Sequence, residues 1–135
     1  MTPGARVQAA IELLDGLEAT ALPADRMLSR YFRSRRFIGS KDRAAIREMF
    51  YGVQRHRARL DWWIARCAPS GTPSGEAASR AWARARARAL ALLALVEGRS
   101  AAEIAAVFDG GQYRPAAPSG AEPALFAALT GQPPE

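Results

Sequence analysis

Apolar residues recur three or four positions apart along almost the whole chain of 135 residues, and no run alternates β-branched apolar residues with polar ones. The first spacing places apolar side chains on one face of an α-helix, whereas alternation would place them on one face of a strand. A helix that is apolar on one face needs other helices to cover that face. The sequence therefore predicts an all-α fold, a single-domain helical bundle.

Apolar stripes and helix-terminating residues predict about seven helices. The first four stripes are Val7, Ala10, Ile11, Leu14 and Leu17; Met27, Leu28, Tyr31 and Phe32; Ile46, Met49, Phe50 and Val53; and Leu60, Trp63, Ile64 and Cys67. Pro23 is expected near the start of the second helix and Ser40 at the N-cap of the third. A break near Arg57 separates the third helix from the fourth.

Proline and glycine are frequent from Ala68 to Gly75, which predicts an exposed loop. A fifth helix should run from about Glu76 to Glu97 and end at Gly98. The side chains expected to face inward from it are Trp82, Leu90, Leu93 and Val96. Two predicted capping boxes then start a sixth and a seventh helix, and they are formed by Ser100 with Glu103 and by Ser119 with Glu122.

Positive charge is concentrated in one segment of the chain. Residues 26–66 hold twelve basic and three acidic residues, a net charge of +9 in a chain whose total is +6. Such clustering is typical of a surface that neutralises phosphates, because arginine releases condensed counterions when it binds a polyanion. A genome rich in G and C also favours arginine codons, so the clustering is a stronger indication than the residue type.

The candidate RNA-binding residues centre on a predicted turn before the third helix. Gly39 permits a tight turn, and the free amides of a helix that starts at Ser40 attract anions. The set comprises Arg33, Arg35, Arg36, Gly39, Ser40, Lys41, Arg43, Arg47, Arg55, Arg57 and Arg59. The alternative is a solvated helix face with an ordinary capped turn, in which Asp42 pairs with a neighbouring arginine.

A second run of arginines lies on the predicted fifth helix. Arg80, Arg84 and Arg88 share a face opposite Leu93, which predicts an exposed, solvated face. Arg86 falls on the apolar side, so we expect it to extend its guanidinium to water or to pair with a carboxylate.

Three aromatic residues are candidates for stacking on bases. Trp63 lies on an apolar stripe and is expected in the core, while Trp62 is expected to be half exposed. Tyr113 lies in a predicted loop, where its role in packing or stacking is ambiguous. Packing is the expected role for both Trp62 and Tyr113.

Catalytic, metal-binding and cofactor-binding residues are not expected in this chain. His56 has no cysteine or acidic residues around it at metal-ligand spacing, and Cys67 lies on an apolar stripe as a small core residue does. The sequence shows no signal core, no apolar tract of membrane-spanning length and no second cysteine. We therefore expect a cytoplasmic protein that does not bind membranes.

Two segments together resemble a known family. Phe32 to Trp62 contains the strings Phe-Ile-Gly-Ser-Lys-Asp-Arg, Phe-Tyr-Gly-Val and Arg-Leu-Asp-Trp, and Ser100 to Pro115 contains Ser-Ala-Ala-Glu-Ile and Phe-Asp-Gly-Gly-Gln-Tyr-Arg-Pro. These strings resemble the amino-terminal domain of the Sun/Fmu family of bacterial ribosomal-RNA cytosine-C5 methyltransferases. The likeness covers nearly the whole chain.

The resemblance implies an antitermination-factor-like (NusB-like) helical fold over residues 1–131, followed at 132–135 by the start of a linker to a catalytic domain absent from this chain. It implies that the domain binds ribosomal RNA for a tethered methyltransferase domain, and that S-adenosylmethionine binds there and not here. The alternative is a stand-alone NusB-like antitermination factor or protein-interaction module.

Overall fold

Six α-helices are found in the part of the chain that the computed structural model describes, namely residues 1–67, 81–111 and 129–130, without the side chains of residues 67 and 81–84. They are α1 (Pro3–Ala19), α2 (Ala24–Ser34), α3 (Ser40–Arg55), α4 (Arg57–Cys67), α5 (Ala81–Ala91) and α6 (Ala101–Val107). A π-helical segment, Leu92–Val96, extends α5. Since no strand occurs in these ranges, the prediction of an all-α fold is confirmed.

Several predictions made from the sequence fall outside the described residues. They are the side chains of Cys67, Trp82 and Arg84, the loop from Ala68 to Gly75, the start of the fifth helix at Glu76, Arg80, Tyr113, the capping box of Ser119 with Glu122, most of the seventh helix and the linker at 132–135.

Helix α1 lies at the centre of the bundle and contacts α2, α3, α5 and α6. Its contact with α5 is extensive, and both helices carry fully buried alanines, among them Ala10 on α1 and Ala89 on α5. Small side chains allow two helix axes to approach closely, so their larger neighbours pack on either side. Helix α4 completes the bundle by packing against α5 and α3.

The four predicted apolar stripes contribute a large part of the core. Their buried members are Val7, Ala10, Ile11, Leu14, Leu28, Phe32, Ile46, Phe50, Val53, Leu60 and Trp63. Leu17, Met27, Tyr31, Met49 and Ile64 are partly buried and pack against this core. The periodicity therefore identified the inward face of each of these helices correctly.

The predicted starts of α4 and α6 are confirmed, and the predicted start of α3 is wrong. Helix α3 ends at Arg55 and α4 begins at Arg57, which is the predicted break. Ser100 and Glu103 form the predicted capping box, and hydrogen bonds from Ser100 lower the pKa of the Glu103 carboxyl. Ser40, in contrast, is the first residue of α3, because Gly39 has the extended backbone of an N-cap and its carbonyl accepts the Arg43 N–H at 2.9 Å.

The π-helical segment explains why one predicted core residue is exposed. Val96 would lie above Leu93 in an α-helix, but here its side chain is 38 % exposed. The Glu97 N–H donates to the Leu92 carbonyl at 3.0 Å, five residues back. This wider turn rotates the residues that follow it out of phase with the preceding α-helix. The helical segment ends at Val96 with Glu97 as its C-cap, and Gly98 follows with a φ of 66°, as predicted for a helix-terminating glycine.

Two glycines offer a test of this geometry with opposite outcomes. Gly98 has a φ of 66°, where a Cβ is strained, so Gly98→Ala should lower the free energy of unfolding by about 1 kcal/mol. Gly52 lies inside α3, and an added Cβ would stand 3.6 Å from Leu92 Cδ2, an ordinary contact. Gly52→Ala should therefore raise the free energy of unfolding by about 0.5–1 kcal/mol, as read by urea denaturation. Equal effects at both positions would contradict this account.

Arg86 and Arg88 on α5 are buried, so the predicted solvated face is wrong for Arg88 and the alternative of extension to water is wrong for Arg86. Arg88 does not lie on a solvated face, because that face of α5 is covered by α1 and α4. Arg86 does not extend to water either. Its side chain is only 1 % exposed, and its guanidinium carbon lies 5.1 Å from the ring centroid of Phe108. Because α1, α3 and α4 all contact α5, the faces of α5 that carry Arg86 and Arg88 are covered.

Arg88 joins three helices through a partly buried ion-pair network. Its Nε and Nη2 donate to the two carboxylate oxygens of Asp61 on α4, at 2.8 and 3.2 Å, and its Nη1 donates to Glu18 Oε1 on α1 at 2.8 Å. Burial alone would lower the pKa of Arg88, but the hydrogen bonds and charges of Asp61 and Glu18 outweigh it and raise the pKa. The network holds α1, α4 and α5 in register on the side opposite Leu93.

Candidate nucleic-acid interface

An open groove lined by four arginines lies between α2 and α3. Its volume is about 450 Å³. The lining residues are Ser29, Phe32, Arg33, Arg36, Arg43 and Arg47. We call this surface the arginine groove. It combines four of the predicted RNA-binding residues.

The α2–α3 turn places these arginines on one side of the molecule. Arg33 lies in the last turn of α2, Arg36 in the connection, and Arg43 and Arg47 one helical turn apart on α3. The connection is well braced, because the Ile38 side chain is buried and its N–H donates to the Arg35 carbonyl at 3.1 Å. Arg43 Nε in turn donates to the Ile38 carbonyl at 2.8 Å, which ties the turn to α3.

Phe32 forms the floor of the arginine groove. The ring is nearly fully buried, and the guanidinium carbons of Arg43 and Arg47 lie 5.6 and 5.8 Å from its centroid. A cation over an aromatic face at this distance is held by the ring quadrupole. The apolar floor therefore positions two guanidiniums without neutralising their charge.

The charge of the arginine groove is not balanced by carboxylates. Among the described residues, none of its four arginines forms an ion pair, and the carboxylate of Asp42, which precedes Arg43, is engaged elsewhere. Asp42 accepts from Arg6 Nε at 2.7 Å and lies 3.9 Å from the amino terminus. The expected pairing of Asp42 with an arginine close to it in sequence is therefore wrong, because its partner Arg6 comes from α1.

Four other predicted site residues lie near this turn but do not line the groove. Arg35 stacks on the Tyr31 ring, with its guanidinium carbon 3.9 Å from the centroid, and donates to Ser34 Oγ at 3.0 Å. It lines a separate cavity beside α1. Gly39, Ser40 and Lys41 are exposed at the start of α3.

The three predicted arginines furthest along the chain do not extend the arginine groove. Arg55 is exposed but lies roughly 80° around α3 from Arg47, given eight residues at 3.6 per turn. Arg57 belongs to the ion-pair network of Arg88, and it forms ion pairs of 3.7 Å with Glu18 and 3.9 Å with Asp61. Arg59 is half buried on α4. The predicted basic segment is therefore divided between several surfaces.

Two large aromatic side chains are exposed in the part of the chain that the structure describes, one expected and one not. Trp62 is 55 % exposed, as predicted, and carries Arg66 over its ring at 5.2 Å, while Trp63 is buried in the core. Phe37 is 81 % exposed in the α2–α3 turn, and the sequence analysis did not single it out. The sequence did contain a signal for this exposure, because Phe37 belongs to neither adjacent apolar stripe.

The described residues also bear on other site types. No group of three histidine, cysteine or acidic side chains that could hold a metal ion occurs among them. No helix within the described ranges is long and apolar enough to cross a membrane. His56 is half buried at the C-cap of α3.

Comparisons of this chain with protein-family models, with curated proteins and with solved structures gave no match. The function is therefore inferred from the geometry and charge of the surface described above, together with the sequence strings quoted earlier.

Proposed function

We propose that this chain is an RNA-binding domain that holds the phosphates of a folded RNA in the arginine groove. The observation that carries the proposal is the convergence of Arg33, Arg36, Arg43 and Arg47 on one open groove without carboxylate partners among the described residues. Cations elsewhere in the described bundle, such as Arg6, Arg57 and Arg88, are matched by acidic groups. Other exposed cations, such as Lys41, Arg55 and Arg66, lie elsewhere on α3 and α4, whereas these four arginines lie together in one groove.

The chemistry of the groove suits phosphates. A guanidinium presents several N–H donors in a fixed plane that matches two phosphate oxygens, and it is weakly hydrated compared with an ammonium group. Each phosphate that it neutralises releases condensed counterions, which favours binding at low salt. Since helical RNA is read largely through its backbone and shape, a groove of arginines on a rigid helical support is an adequate reader.

The resemblance to the Sun/Fmu family extends this proposal to a reaction. In that reading, the domain is an NusB-like accessory domain that delivers ribosomal RNA to a tethered cytosine-C5 methyltransferase domain, which binds S-adenosylmethionine. The arginine groove supports only the RNA-binding part of this proposal.

The second candidate is a stand-alone NusB-like antitermination factor or protein-interaction module. A protein partner would be expected to meet a surface with an apolar centre and a polar rim. The arginine groove lacks an accessible apolar centre, since Phe32 is the one apolar side chain that lines it and is nearly fully buried. The geometry therefore favours RNA as the partner of this surface.

Reversal of two groove charges tests the proposal. Arg36→Glu with Arg47→Glu should weaken binding to a structured RNA about 100-fold, because each lost charged hydrogen bond costs about 1.5 kcal/mol. The slope of log affinity against log salt should fall by about 2, one unit for each lost phosphate contact. Fluorescence anisotropy over a salt series measures both. Arg43 is left unchanged because its Nε also supports the turn.

Arg66→Glu with Arg99→Glu is the matched control. This pair makes the same change in net charge at exposed positions on α4 and after the π-helical segment. It should leave most of the affinity and lower the salt slope by less than 1. If both double variants bind RNA equally well or equally poorly, the arginine groove is not the RNA-binding surface.

A further inference from the structure

Phe37 is presented to solvent by a rigid part of the fold. The neighbouring Ile38 is buried, and the turn is fixed by backbone hydrogen bonds from Arg35 to Phe32 and from Ile38 to Arg35, both of 3.1 Å. An exposed phenyl ring leaves apolar area in contact with water, which costs free energy unless a partner covers it. A ring held in one place is also a preorganised stacking surface.

Phe37 lines a second cavity on the other side of the turn from the arginine groove. The cavity has a volume of about 780 Å³ and lies between the first half of α1 and the α2–α3 turn. Its apolar wall includes Phe37, Ile38, Ala5 and Ala9. We call it the α1 cavity. Arg36 lines the groove and Phe37 lines the cavity, so consecutive residues connect the two surfaces.

A flat layer forms another wall of the α1 cavity. The Arg35 guanidinium lies 3.9 Å above the Tyr31 ring, and both residues line the cavity. Planar groups of this kind stack on the faces of nucleobases, whatever the base. The α1 cavity therefore offers Phe37 and an arginine–tyrosine layer to a planar ligand.

The polar groups of the α1 cavity include two carboxylates beside Arg35, whereas no carboxylate lines the arginine groove. Glu12 and Asp42 line it, and the Glu12 carboxylate accepts hydrogen bonds from the Tyr31 hydroxyl at 2.9 Å and from Gln8 Nε2 at 3.4 Å. Carboxylates repel phosphates but accept hydrogen bonds from the exocyclic amino groups of bases. Burial and the adjacent Glu12 raise the pKa of Tyr31, so its hydroxyl stays protonated at neutral pH.

We infer that the α1 cavity binds an unpaired nucleobase with an exocyclic amino group, stacked on Phe37, while the phosphates beside it occupy the arginine groove. The inference rests on the proposed function. It specifies the RNA further, because the ligand must contain a bulged or looped-out base next to a helical segment. A strand that crosses the turn would place its backbone on the cationic side and its base on the apolar, carboxylate-rimmed side.

Binding to matched RNAs tests the inference. One RNA is a fully paired hairpin, and the others carry a single bulged adenine, cytosine, uracil or 2-aminopurine in the same stem. The unaltered protein should bind the adenine and cytosine bulges about tenfold more tightly than the paired stem and the uracil bulge, and it should quench 2-aminopurine fluorescence. Phe37→Ala should remove the preference and the quenching but leave affinity for the paired stem and the salt slope unchanged. Phe37→Trp should restore both.

Because the Phe37 side chain is exposed, we expect Phe37→Ala to be folded, and circular dichroism checks this. If the unaltered protein binds paired and bulged stems equally, or if Phe37→Ala keeps the preference for the bulge, the inference is overturned. The proposed function stands in either case as long as the paired stem binds with the expected salt slope. If the unaltered protein binds none of these RNAs, both the inference and the proposed function are overturned.

Discussion

Arg88→Met is expected to lower the free energy of unfolding by about 3 kcal/mol. Methionine has a long side chain and fills much of the same space, so the loss is mainly electrostatic. It removes the hydrogen bonds of 2.8 Å to Asp61 and Glu18 and leaves both carboxylates beneath α5. Breaking a buried pair by removing one partner costs about 3–5 kcal/mol. The lower end applies because the Asp61 side chain is 43 % exposed and Arg57 lies 3.9 Å from it.

Urea denaturation at pH 7, followed by circular dichroism, measures this loss. Arg88→Lys should recover only part of it, since an ammonium group cannot make the bidentate contact with Asp61. Arg99→Met is the control, because Arg99 is exposed and its ion pair with Glu97 at 3.4 Å lies at the surface. That change should cost less than about 0.5 kcal/mol. Equal losses for Arg88→Met and Arg99→Met would show that the network contributes little to stability.

The Arg88 network also shows where sequence reasoning reached its limit. Helical phase correctly placed Leu90 and Leu93 inside and assigned the opposite face to solvent. The phase of one helix cannot reveal how many neighbours surround it, and α5 is covered on that opposite face by α1 and α4. The arginine there is buried because Glu18 and Asp61 come from those two helices. Such partners are distant in sequence and were found only in the assembled bundle.

Local signals were more reliable than the assignment of residues to a surface. The capping box at Ser100 and the break before Arg57 each depend on a few adjacent residues, and both were predicted correctly. The candidate RNA-binding residues, in contrast, were grouped by proximity in sequence. The turn directs Arg36 into the arginine groove and Arg35 onto Tyr31, although they are neighbours. Side-chain direction in an irregular turn follows from backbone geometry that composition does not encode.

Phe32→Ala is expected to affect stability and RNA binding together. Removing a nearly buried phenyl ring leaves a cavity and should lower the free energy of unfolding by about 3–4 kcal/mol. It also removes the ring beneath Arg43 and Arg47, whose guanidinium carbons lie 5.6 and 5.8 Å from its centroid. Without this floor the two side chains sample more rotamers, and each must lose that freedom again when it binds a phosphate. RNA affinity should therefore fall about fivefold even under conditions in which the variant is fully folded.

Phe50→Ala separates the two effects. Phe50 lies on the same helix as Arg43 and Arg47, is fully buried and does not line the arginine groove, so its loss should cost similar stability without weakening RNA binding by the folded protein. Phe32→Leu should recover most of the stability, because it refills the cavity, but little of the affinity, because leucine has no π-face for the guanidiniums. Anisotropy titrations at low temperature, paired with urea denaturation, compare the three variants. If Phe32→Ala and Phe50→Ala bind RNA equally well, the aromatic floor does not position the groove arginines, and their convergence comes from α3 and the turn alone.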